Sequence, residues 1–456
     1  MGVVTVNPAT GDRLAEYPRQ EAAAVFAALD RSVAAGREWS ARPVAERAAL
    51  LPPLAARLRA RAPELARLMS LEMGKPVTEA RGEVEKCAWL CEVYATQSAE
   101  WLADTPMKAD GLRHHVAYQP LGVVLSIMPW NYPFWQALRF GVPTLTAGNT
   151  SLLKHASNVT GCGLAISELF AEAGYPAGTF QTIVCDHATI AGLVAHDDVR
   201  GLSLTGSVEA GRRIAELAGR NLKKVVLELG GSDPFIVLED ADLEAAVRGA
   251  VTGRMLCTGQ SCIAAKRFIV ARAVVAEFTE RFAAAMAALP IGDPLDEGTR
   301  VGAIVDEEEM KVLADQCADA LAAGARLLTG GRRLERAGCF FPPTVLADVT
   351  HGMAVWRDEV FGPIAPVMAV ANDEEAVRLA NASVFGLGGC VWTRDLERGE
   401  RLARRLEAGT VFVNSIVKSD PRMPFGGVKQ SGLGRELSWH GLREFTNVQG
   451  VNVYPA

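Results

Sequence analysis

The sequence predicts an α/β protein of two or three domains built on parallel sheets. The chain has 456 residues, which is too long for one simple hydrophobic core. From about residue 150 onward, short apolar segments alternate with longer helical segments. This alternation is typical of parallel strands joined by right-handed helical crossovers.

The N-terminal part is predicted to be mainly helical. Residues 3–18 form a predicted hairpin, because Asn7-Pro8-Ala9-Thr10-Gly11 supplies turn residues. Apolar residues three and four apart then predict helices at about 21–39, 43–73 and 77–103. Residues 113–128 first alternate and then become apolar, which predicts two strands hinged at Pro120.

The alternating region is predicted in two blocks. The first has strands at Ser151–Lys154, Phe180–Val184, Leu202–Leu204 and Lys224–Leu229, with helices near 160–173, 187–196 and 208–218. A second alternating block runs from about 234 to 412, and the final segment, 443–456, is strand-like.

The composition excludes several classes of function. A net charge of −6 without a long basic run argues against a nucleic-acid partner. We expect neither a signal segment nor a membrane partner, because no apolar stretch of about 18 residues occurs. The seven histidines show no metal-ligand spacing, so no metal is predicted. Nine cysteines, an odd number, favour a reducing compartment, and we expect a cytoplasmic protein.

One cysteine and one carboxylate offer a nucleophile and a general base. Cys262 lies in Gly-Gln-Ser-Cys, and Glu228 lies in Glu-Leu-Gly-Gly. A thiolate adds readily to an aldehyde carbon, and the adduct can expel hydride to an oxidised nicotinamide. The remaining thioester needs water, which a carboxylate can deprotonate. Seven other cysteines fit buried apolar positions, while Cys257 leaves a regulatory disulfide with Cys262 as an alternative.

Together with Met-Pro-Trp-Asn at 128–131 and Glu-Val-Phe-Gly-Pro at 359–363, these motifs resemble the aldehyde dehydrogenase superfamily. The resemblance extends from Asn7-Pro8 to the terminal strand, and is closest to bacterial NAD(P)-dependent succinate-semialdehyde dehydrogenases. It implies an α/β fold with a Rossmann-like cofactor domain (1–110 and 131–228) and an α/β catalytic domain (229–420). A small β oligomerisation element (111–130 and 421–456) completes the expected architecture.

The resemblance also implies roles for residues around the nucleophile. The amide of Asn131 matches the family's oxyanion donor, although an asparagine before proline residues is also an ordinary turn residue. Thr205-Gly206-Ser207 matches a variant dinucleotide fingerprint at a strand–helix junction, where backbone N–H groups can hold a pyrophosphate. The cofactor residues implied in this way are Pro129, Trp130, Lys154, Ser157, Gly206, Ser207, Gly211, Leu229, Glu359 and Phe361.

The cofactor is expected to be NAD or NADP. Family members selective for NAD usually place a glutamate three residues after the lysine that matches Lys154, and here that position is Ser157. A carboxylate there would repel a 2′-phosphate by about 1–4 kcal/mol at surface-like dielectric. Serine removes this repulsion, so NADP is expected to be tolerated at least.

The resemblance places the substrate tunnel just after the Trp-Asn element. Tyr132, Trp135, Gln136 and Arg139 are spaced three and four apart on one helical face, which by itself also fits a core-facing stripe. A buried guanidinium needs an anion, and a carboxylate-bearing aldehyde would supply one. Ser419 and Phe425 complete the expected set. Leu256 occupies a position where several subfamily members carry a second arginine, and Arg254 lies nearby.

The resulting expectation is oxidation of succinate semialdehyde to succinate through a thioester on Cys262. Three alternatives remain open: a broad aldehyde dehydrogenase for other semialdehydes or aromatic aldehydes, transfer of the thioester to coenzyme A, and an inactive structural protein with the same fold. A homodimer or homotetramer is expected, because exposed apolar strand edges need partners.

Overall fold

The computed structural model describes residues 2–456. Its N-terminal region begins with a hairpin and continues with a series of packed helices. These elements are β1 (Val3–Val6), β2 (Arg13–Tyr17), α1 (Ala22–Ala41), α2 (Val44–Ala48), α3 (Leu51–Ala60), α4 (Ala62–Met73) and α5 (Val77–Trp101).

Three helices occupy the region where the sequence predicted one helix over 43–73, so that prediction was wrong in its continuity. Prolines lie at the first turns of α3 and α4, and Pro43 caps α2. Proline lacks the N–H that an uninterrupted helix would need, but it is well suited to a first turn. Each proline therefore begins a new helix.

The first alternating block forms a six-stranded sheet flanked by helices. Its elements in chain order, with the two short strands that precede them, are β3 (Thr105–Met107), β4 (Arg113–Pro120), β5 (Val123–Met128), α6 (Pro133–Thr146), β6 (Thr150–His155), α7 (Thr160–Glu172), β7 (Phe180–Ile183), α8 (His187–Ala195), β8 (Val199–Thr205), α9 (Val208–Arg220) and β9 (Lys224–Glu228).

The second block forms a seven-stranded sheet and ends in the C-terminal strand. Its elements are β10 (Asp233–Val237), α10 (Leu243–Met255), β11 (Ala265–Ala271), α11 (Val275–Ala287), α12 (Glu307–Ala322), β12 (Arg326–Thr329), β13 (Thr344–Ala347), α13 (Ala354–Arg357), β14 (Ile364–Val370), α14 (Asp373–Asn381), β15 (Phe385–Gly386), β16 (Gly388–Trp392), α15 (Leu396–Ala403), β17 (Thr410–Val413), β18 (Val428–Lys429), β19 (Gly432–Leu433), α16 (Ser438–Glu444) and β20 (Thr446–Val453).

The order of strands in the first sheet creates a crevice. The order is β19-β9-β8-β5-β6-β7, and β5 to β9 are all parallel. From β5 the chain proceeds outward through β6 and β7, and then returns to the other side for β8 and β9. Ligands of open α/β sheets bind where the strand order reverses in this way, at the carboxyl ends of the strands.

A separate three-stranded sheet has the order β20-β4-β3. Its position corrects one predicted boundary, because 111–130 was assigned as a whole to the oligomerisation element. Only β4 lies in the small sheet, whereas β5 is a central strand of the six-stranded sheet. The chain changes sheets at Pro120, and the buried, apolar character of β5 reflects its place between β6 and β8.

Candidate active site

Several predicted cofactor residues follow the carboxyl ends of adjacent parallel strands. Pro129 and Trp130 follow β5, while Gly206 and Ser207 follow β8. Leu229 follows β9, whose last residue is Glu228. Since these strands are neighbours in one sheet, the three short motifs meet at the same edge, on both sides of the crevice.

The loop before the nucleophile has an unusual backbone. Cys257 and Thr258 have positive φ angles of 54° and 58°, and Gly259 follows at 80°. Such angles strain residues other than glycine and persist only where the surroundings fix them. Here the Cys257 N–H donates to Glu79 Oε2 at 2.8 Å, and Thr258 Oγ1 accepts from the Gly302 N–H at 2.9 Å. The loop that presents Cys262 is therefore held rigidly.

Cys262 lies where two cavities meet. One cavity, of about 290 Å³, contains the strand-end residues, and the other, of about 250 Å³, contains residues of α5 and α6. Burial raises the pKa of Cys262 to about 11, against the opposing influence of Lys266 and Arg139. The thiol is thus protonated at neutral pH in the ligand-free protein, and attack on an aldehyde requires an acceptor for its proton.

Glu228 is buried and lines the same cavity as Cys262. Neither carboxyl oxygen has a hydrogen-bond partner within residues 2–456. Burial raises the pKa of Glu228 to about 8, the carboxylate of Glu436 adds to the rise, and Arg139 and Arg435 oppose it. A carboxyl group with a pKa near the working pH is suited to general-base chemistry.

The two glycines after Glu228 permit close contacts around the nucleophile. A Cβ on Gly231 would lie 2.6 Å from the carbonyl oxygen of Cys262, and a Cβ on Gly230 would collide with Glu359. The Gly231 N–H donates to Glu359 Oε1 at 3.0 Å. The Glu-Leu-Gly-Gly motif therefore carries the base and also lets the nucleophile loop approach.

Asn131 lies beside the nucleophile loop. Its Nδ2 donates to the carbonyl oxygen of Gln260 at 2.9 Å, and its side chain lines the same cavity as Cys262. An amide nitrogen carries two N–H groups, so the second is available to a developing oxyanion. The role of Asn131 as the oxyanion donor stays a prediction that its position permits, and its contact with Gln260 has no counterpart in the sequence pattern.

Lys266 is a residue that the sequence analysis missed. Its buried ammonium donates to the carbonyl oxygens of Ser261 and Cys262 at 2.8 and 2.7 Å, and pairs with Glu359 at 3.1 Å. It therefore links the nucleophile loop to a carboxylate that lines the cofactor cavity. Its position four residues after Cys262 is a local signal, but the buried charge depends on tertiary contacts.

The cavity at the strand ends fits a dinucleotide. Ser207 caps α9 by accepting from the Ala210 N–H at 3.2 Å, which leaves the first N–H groups of a thirteen-residue helix open at the crevice. Thr205 Oγ1 is buried in this cavity without a hydrogen-bond partner among residues 2–456. Phe361 packs edge-on against Trp130, with ring centroids 5.7 Å apart. These features can hold a pyrophosphate and a flat ring.

Three predicted cofactor residues do not line this cavity. Lys154 is half-buried near the carboxyl end of β6, and Ser157 is exposed just beyond that end, so both face the same edge of the sheet. Gly211 lies inside α9, where a Cβ would be 2.6 Å from the side chain of Leu229. Its contribution is close packing of the helix on the sheet rather than contact with a ligand.

The second cavity contains every predicted substrate residue. Its wall comes from α5, from α6 and the residue before it, from the nucleophile loop, and from the loop after β17. The predicted residues on its wall are Tyr132, Trp135, Gln136, Arg139, Ser419 and Phe425. The cavity is largely apolar away from a few charged groups, as expected for a small organic substrate.

One interpretation from the sequence was wrong. Arg139 lies on the cavity wall, but its guanidinium already forms a buried ion pair with Glu436 and packs over the ring of Phe425 at 4.7 Å. It therefore does not require a substrate anion as its counter-ion. Arg254 does not replace the missing second arginine either, because it is buried and donates to the carbonyl oxygen of Gly259 at 2.7 Å, whereas Leu256 lines the cavity.

Helix α5 contributes charged residues that the sequence analysis treated only as part of a helix. Glu79, Glu83 and Lys86 are spaced four and three apart and line the substrate cavity together. Glu83 is almost fully buried, on the same side of α5 as apolar core residues such as Val84 and Cys87. Charged residues at helical positions that otherwise face the core could have indicated from the sequence that α5 lines the site.

Neither a metal-binding cluster nor a membrane-spanning helix occurs among residues 2–456. They contain no group of three or more His, Cys, Asp and Glu side chains arranged to hold a metal ion. None of the helices in that range is long and apolar enough to cross a membrane.

Comparison with known sequences identifies the family of the chain. The aldehyde dehydrogenase family matches residues 2–451. The chain is 47% identical over 451 residues to the probable succinate-semialdehyde dehydrogenase (NADP(+)) of Synechocystis sp., with 99% of each chain covered. It is 46% identical over 448 residues to the succinate semialdehyde dehydrogenase (NAD(P)+) Sad of Escherichia coli, covering 98% of this chain and 97% of the relative.

Solved structures share the whole fold. The structure of Gox0499 superposes with a TM-score of 0.98 at 40% identity, covering 99% of this chain and 100% of that one. The succinic semialdehyde dehydrogenase of Streptococcus pyogenes, in complex with NADP+, superposes with a TM-score of 0.97 at 35% identity, with 99% and 100% covered. The two-sheet architecture is therefore that of a known fold.

Proposed function

Since this chain belongs to the aldehyde dehydrogenase family, we propose that it oxidises succinate semialdehyde to succinate with NADP or NAD. The observation that carries the proposal is the position of Cys262 at the junction of two cavities, one suited to a dinucleotide and one to a small aldehyde. The names of the relatives supply the substrate and the cofactor.

In the first step, Cys262 Sγ forms a bond to the aldehyde carbon. The thiol proton is released to water, and the carbonyl electron pair becomes an oxyanion that accepts from Asn131 Nδ2. When bound, the oxidised nicotinamide accepts the hydride that leaves the same carbon. Expulsion of hydride restores the carbonyl and leaves a thioester on Cys262.

In the second step, Glu228 removes a proton from water as the water attacks the thioester. The carbon–sulfur bond then breaks, succinate is released, and the departing thiolate takes up the proton held by Glu228. The Lys266 contacts to the Ser261 and Cys262 carbonyl oxygens hold the peptide of the nucleophile in one orientation through both steps. A hydrolytic base in this cavity favours release as the acid over transfer to coenzyme A.

The cofactor preference in this proposal is for NADP, with NAD also used. Ser157 offers a hydroxyl rather than a carboxylate beyond the end of β6, and Lys154 supplies a nearby positive charge. Both features suit a 2′-phosphate on the adenosine ribose. Relatives whose names specify NADP(+) and NAD(P)+ support the same preference.

The proposal includes a cytoplasmic homodimer or homotetramer. Within residues 2–456, β20 pairs with β4 on one side only, and Val448 on β20 is 62% exposed. An open edge with apolar side chains favours pairing with a second copy. All nine cysteines are free, which suits a reducing compartment. An apparent mass in gel filtration equal to that of one chain, 48.7 kDa, would contradict the oligomer.

Initial rates followed at 340 nm, the band of the reduced nicotinamide, test the function directly. Succinate semialdehyde should give kcat/KM of about 10⁴ M⁻¹s⁻¹ or more with NADP. Butanal has the same chain length without the carboxylate and serves as the control, and it should be poorer by at least tenfold. Preference for butanal or benzaldehyde would instead indicate a broad aldehyde dehydrogenase, for which the aromatic wall of Tyr132 and Trp135 is suited.

A further inference from the structure

The substrate cavity contains several charged side chains, and most are compensated within the protein. Glu83 pairs with the buried Lys75, and its Oε1 also accepts from the Phe134 and Trp135 N–H groups, each at 2.9 Å. Glu79 accepts from the Cys257 N–H at 2.8 Å. These carboxylates fix the start of α6 and the nucleophile loop, so they serve the architecture of the cavity rather than a ligand.

The cations of the substrate cavity differ in whether a carboxylate or water compensates their charge. Arg139 is neutralised by Glu436, as described above. Lys418 lines the cavity but its side chain is exposed, so water screens its charge. Lys86 is half-buried and has no ion-pair partner among the carboxylates of residues 2–456. Of the two carboxylates that act on its charge, Glu83 is paired with Lys75 and Asp420 is paired with Arg422, the latter at 2.7 Å.

The surroundings of Lys86 are built for an anion. Its Nζ donates to Ser419 Oγ at 2.7 Å and lies 4.2 Å from the centroid of the Trp135 ring. Burial lowers the pKa of Lys86 to about 8, the charge of Arg139 adds to the lowering, and Cys87, Glu83 and Asp420 oppose it. A cation that is partly removed from water and lacks a counter-ion gains when an anion enters beside it.

We propose that Lys86, together with the hydroxyl of Ser419, binds the carboxylate of the aldehyde substrate and thereby determines specificity for carboxylated aldehydes. This inference rests on the proposed function and deepens it. The ammonium supplies the charge, the hydroxyl supplies a second donor, and the indole face of Trp135 positions the ammonium. The carboxylate end of the substrate is thus fixed away from the reacting carbon.

The substitution Lys86→Met tests the inference, because methionine has a similar length and no charge. The KM for succinate semialdehyde should rise at least tenfold while its kcat changes less than threefold. Butanal oxidation should change less than threefold in both parameters, which also verifies that the variant is folded. Lys86→Arg should restore most of the lost affinity.

A matched control uses another lysine of the same cavity. Lys418→Met removes a solvent-screened charge, and the KM for succinate semialdehyde should change less than threefold. If Lys418→Met has the same effect as Lys86→Met, the cavity responds only to net charge, and the assignment of Lys86 is overturned. An unchanged KM in Lys86→Met, or an equal rise for butanal, overturns it as well.

Competitive inhibition of butanal oxidation by succinate separates this inference from the proposed function. Succinate should inhibit the wild-type enzyme, and Lys86→Met should weaken that inhibition at least tenfold. A wild-type enzyme that prefers butanal but shows this pattern would refute the proposed substrate and leave Lys86 as the carboxylate site. If the wild-type enzyme prefers succinate semialdehyde but succinate inhibits the wild type and Lys86→Met equally, the proposed substrate stands and Lys86 is refuted as the carboxylate site.

Discussion

The two cavities that meet at Cys262 are built in different ways. The cofactor cavity is lined largely by residues that directly follow neighbouring parallel strands, so each motif is short and contiguous in the sequence. The substrate cavity combines α5, α6 and the loop after β17, and its residues Lys86 and Ser419 are 333 positions apart in the chain. The first kind of site can be recognised from local patterns, whereas the second depends on how distant helices pack.

The two cavities also handle charge differently. On the cofactor side, Glu228 is buried without a hydrogen bond or ion pair within residues 2–456, and its reactivity comes from that isolation. On the substrate side, Glu83 and Arg139 are fully paired, and Lys86 is left without a carboxylate. Within the described residues, the cofactor cavity therefore contains a buried base without a partner, and the substrate cavity contains a half-buried cation without a carboxylate partner.

Removing the base should have the largest effect. Glu228→Gln keeps the size of the side chain but cannot accept a proton from water, so steady-state turnover should fall by about 10²–10⁴-fold. Hydride transfer precedes this step, so a burst of reduced cofactor should still appear in stopped-flow absorbance at 340 nm. Loss of both the burst and the turnover would mean that Glu228 is needed for the attack of Cys262 as well.

Removing Arg139 should lower the kcat/KM for both substrates by a similar factor. Arg139→Leu leaves Glu436 buried without its partner, and it removes a charge that opposes the raised pKa values of Glu228 and Cys262. We expect kcat/KM to fall at least tenfold for succinate semialdehyde and butanal, with a lower Tm. The double variant Arg139→Leu with Glu436→Leu should recover the Tm, because no unpaired charge remains. A rise in KM for succinate semialdehyde alone would instead assign the carboxylate to Arg139.

These two residues show how far the sequence could predict the site. Glu228 was identified from a contiguous motif at a strand end, and the structure places it in the same cavity as Cys262. Arg139 was placed correctly on the cavity wall by its spacing, but its partner lies 297 positions later, at Glu436, and no local pattern connects them. Lys86 was missed for the same reason. The strands and their approximate ends follow from periodicity, whereas charge pairing across the core does not.

Substitution of Ser157, at the expected adenosine end of the cofactor site, should have a smaller effect on kcat/KM. Ser157→Glu introduces a carboxylate at an exposed position, where repulsion of a 2′-phosphate is of the order of 1–2 kcal/mol. We expect kcat/KM with NADP to fall roughly tenfold, with little change for NAD, measured at fixed aldehyde concentration. Ser157→Ala is the control, and it should alter the ratio of the two cofactors less than threefold. Equal losses for NADP and NAD in Ser157→Glu would argue against contact with the 2′-phosphate.

The smallest effect concerns pH and depends on the isolation of Glu228. Burial raises its pKa to about 8, so the carboxylate form needed to activate water is the minor form at pH 7 and predominates above pH 8. The steady-state rate should therefore rise roughly fivefold between pH 7 and pH 8 where thioester hydrolysis limits turnover. Butanal is the substrate of choice, because it avoids any contribution from the titration of Lys86. In Glu228→Gln the inflection should disappear, and a flat wild-type profile over this range would contradict the raised pKa.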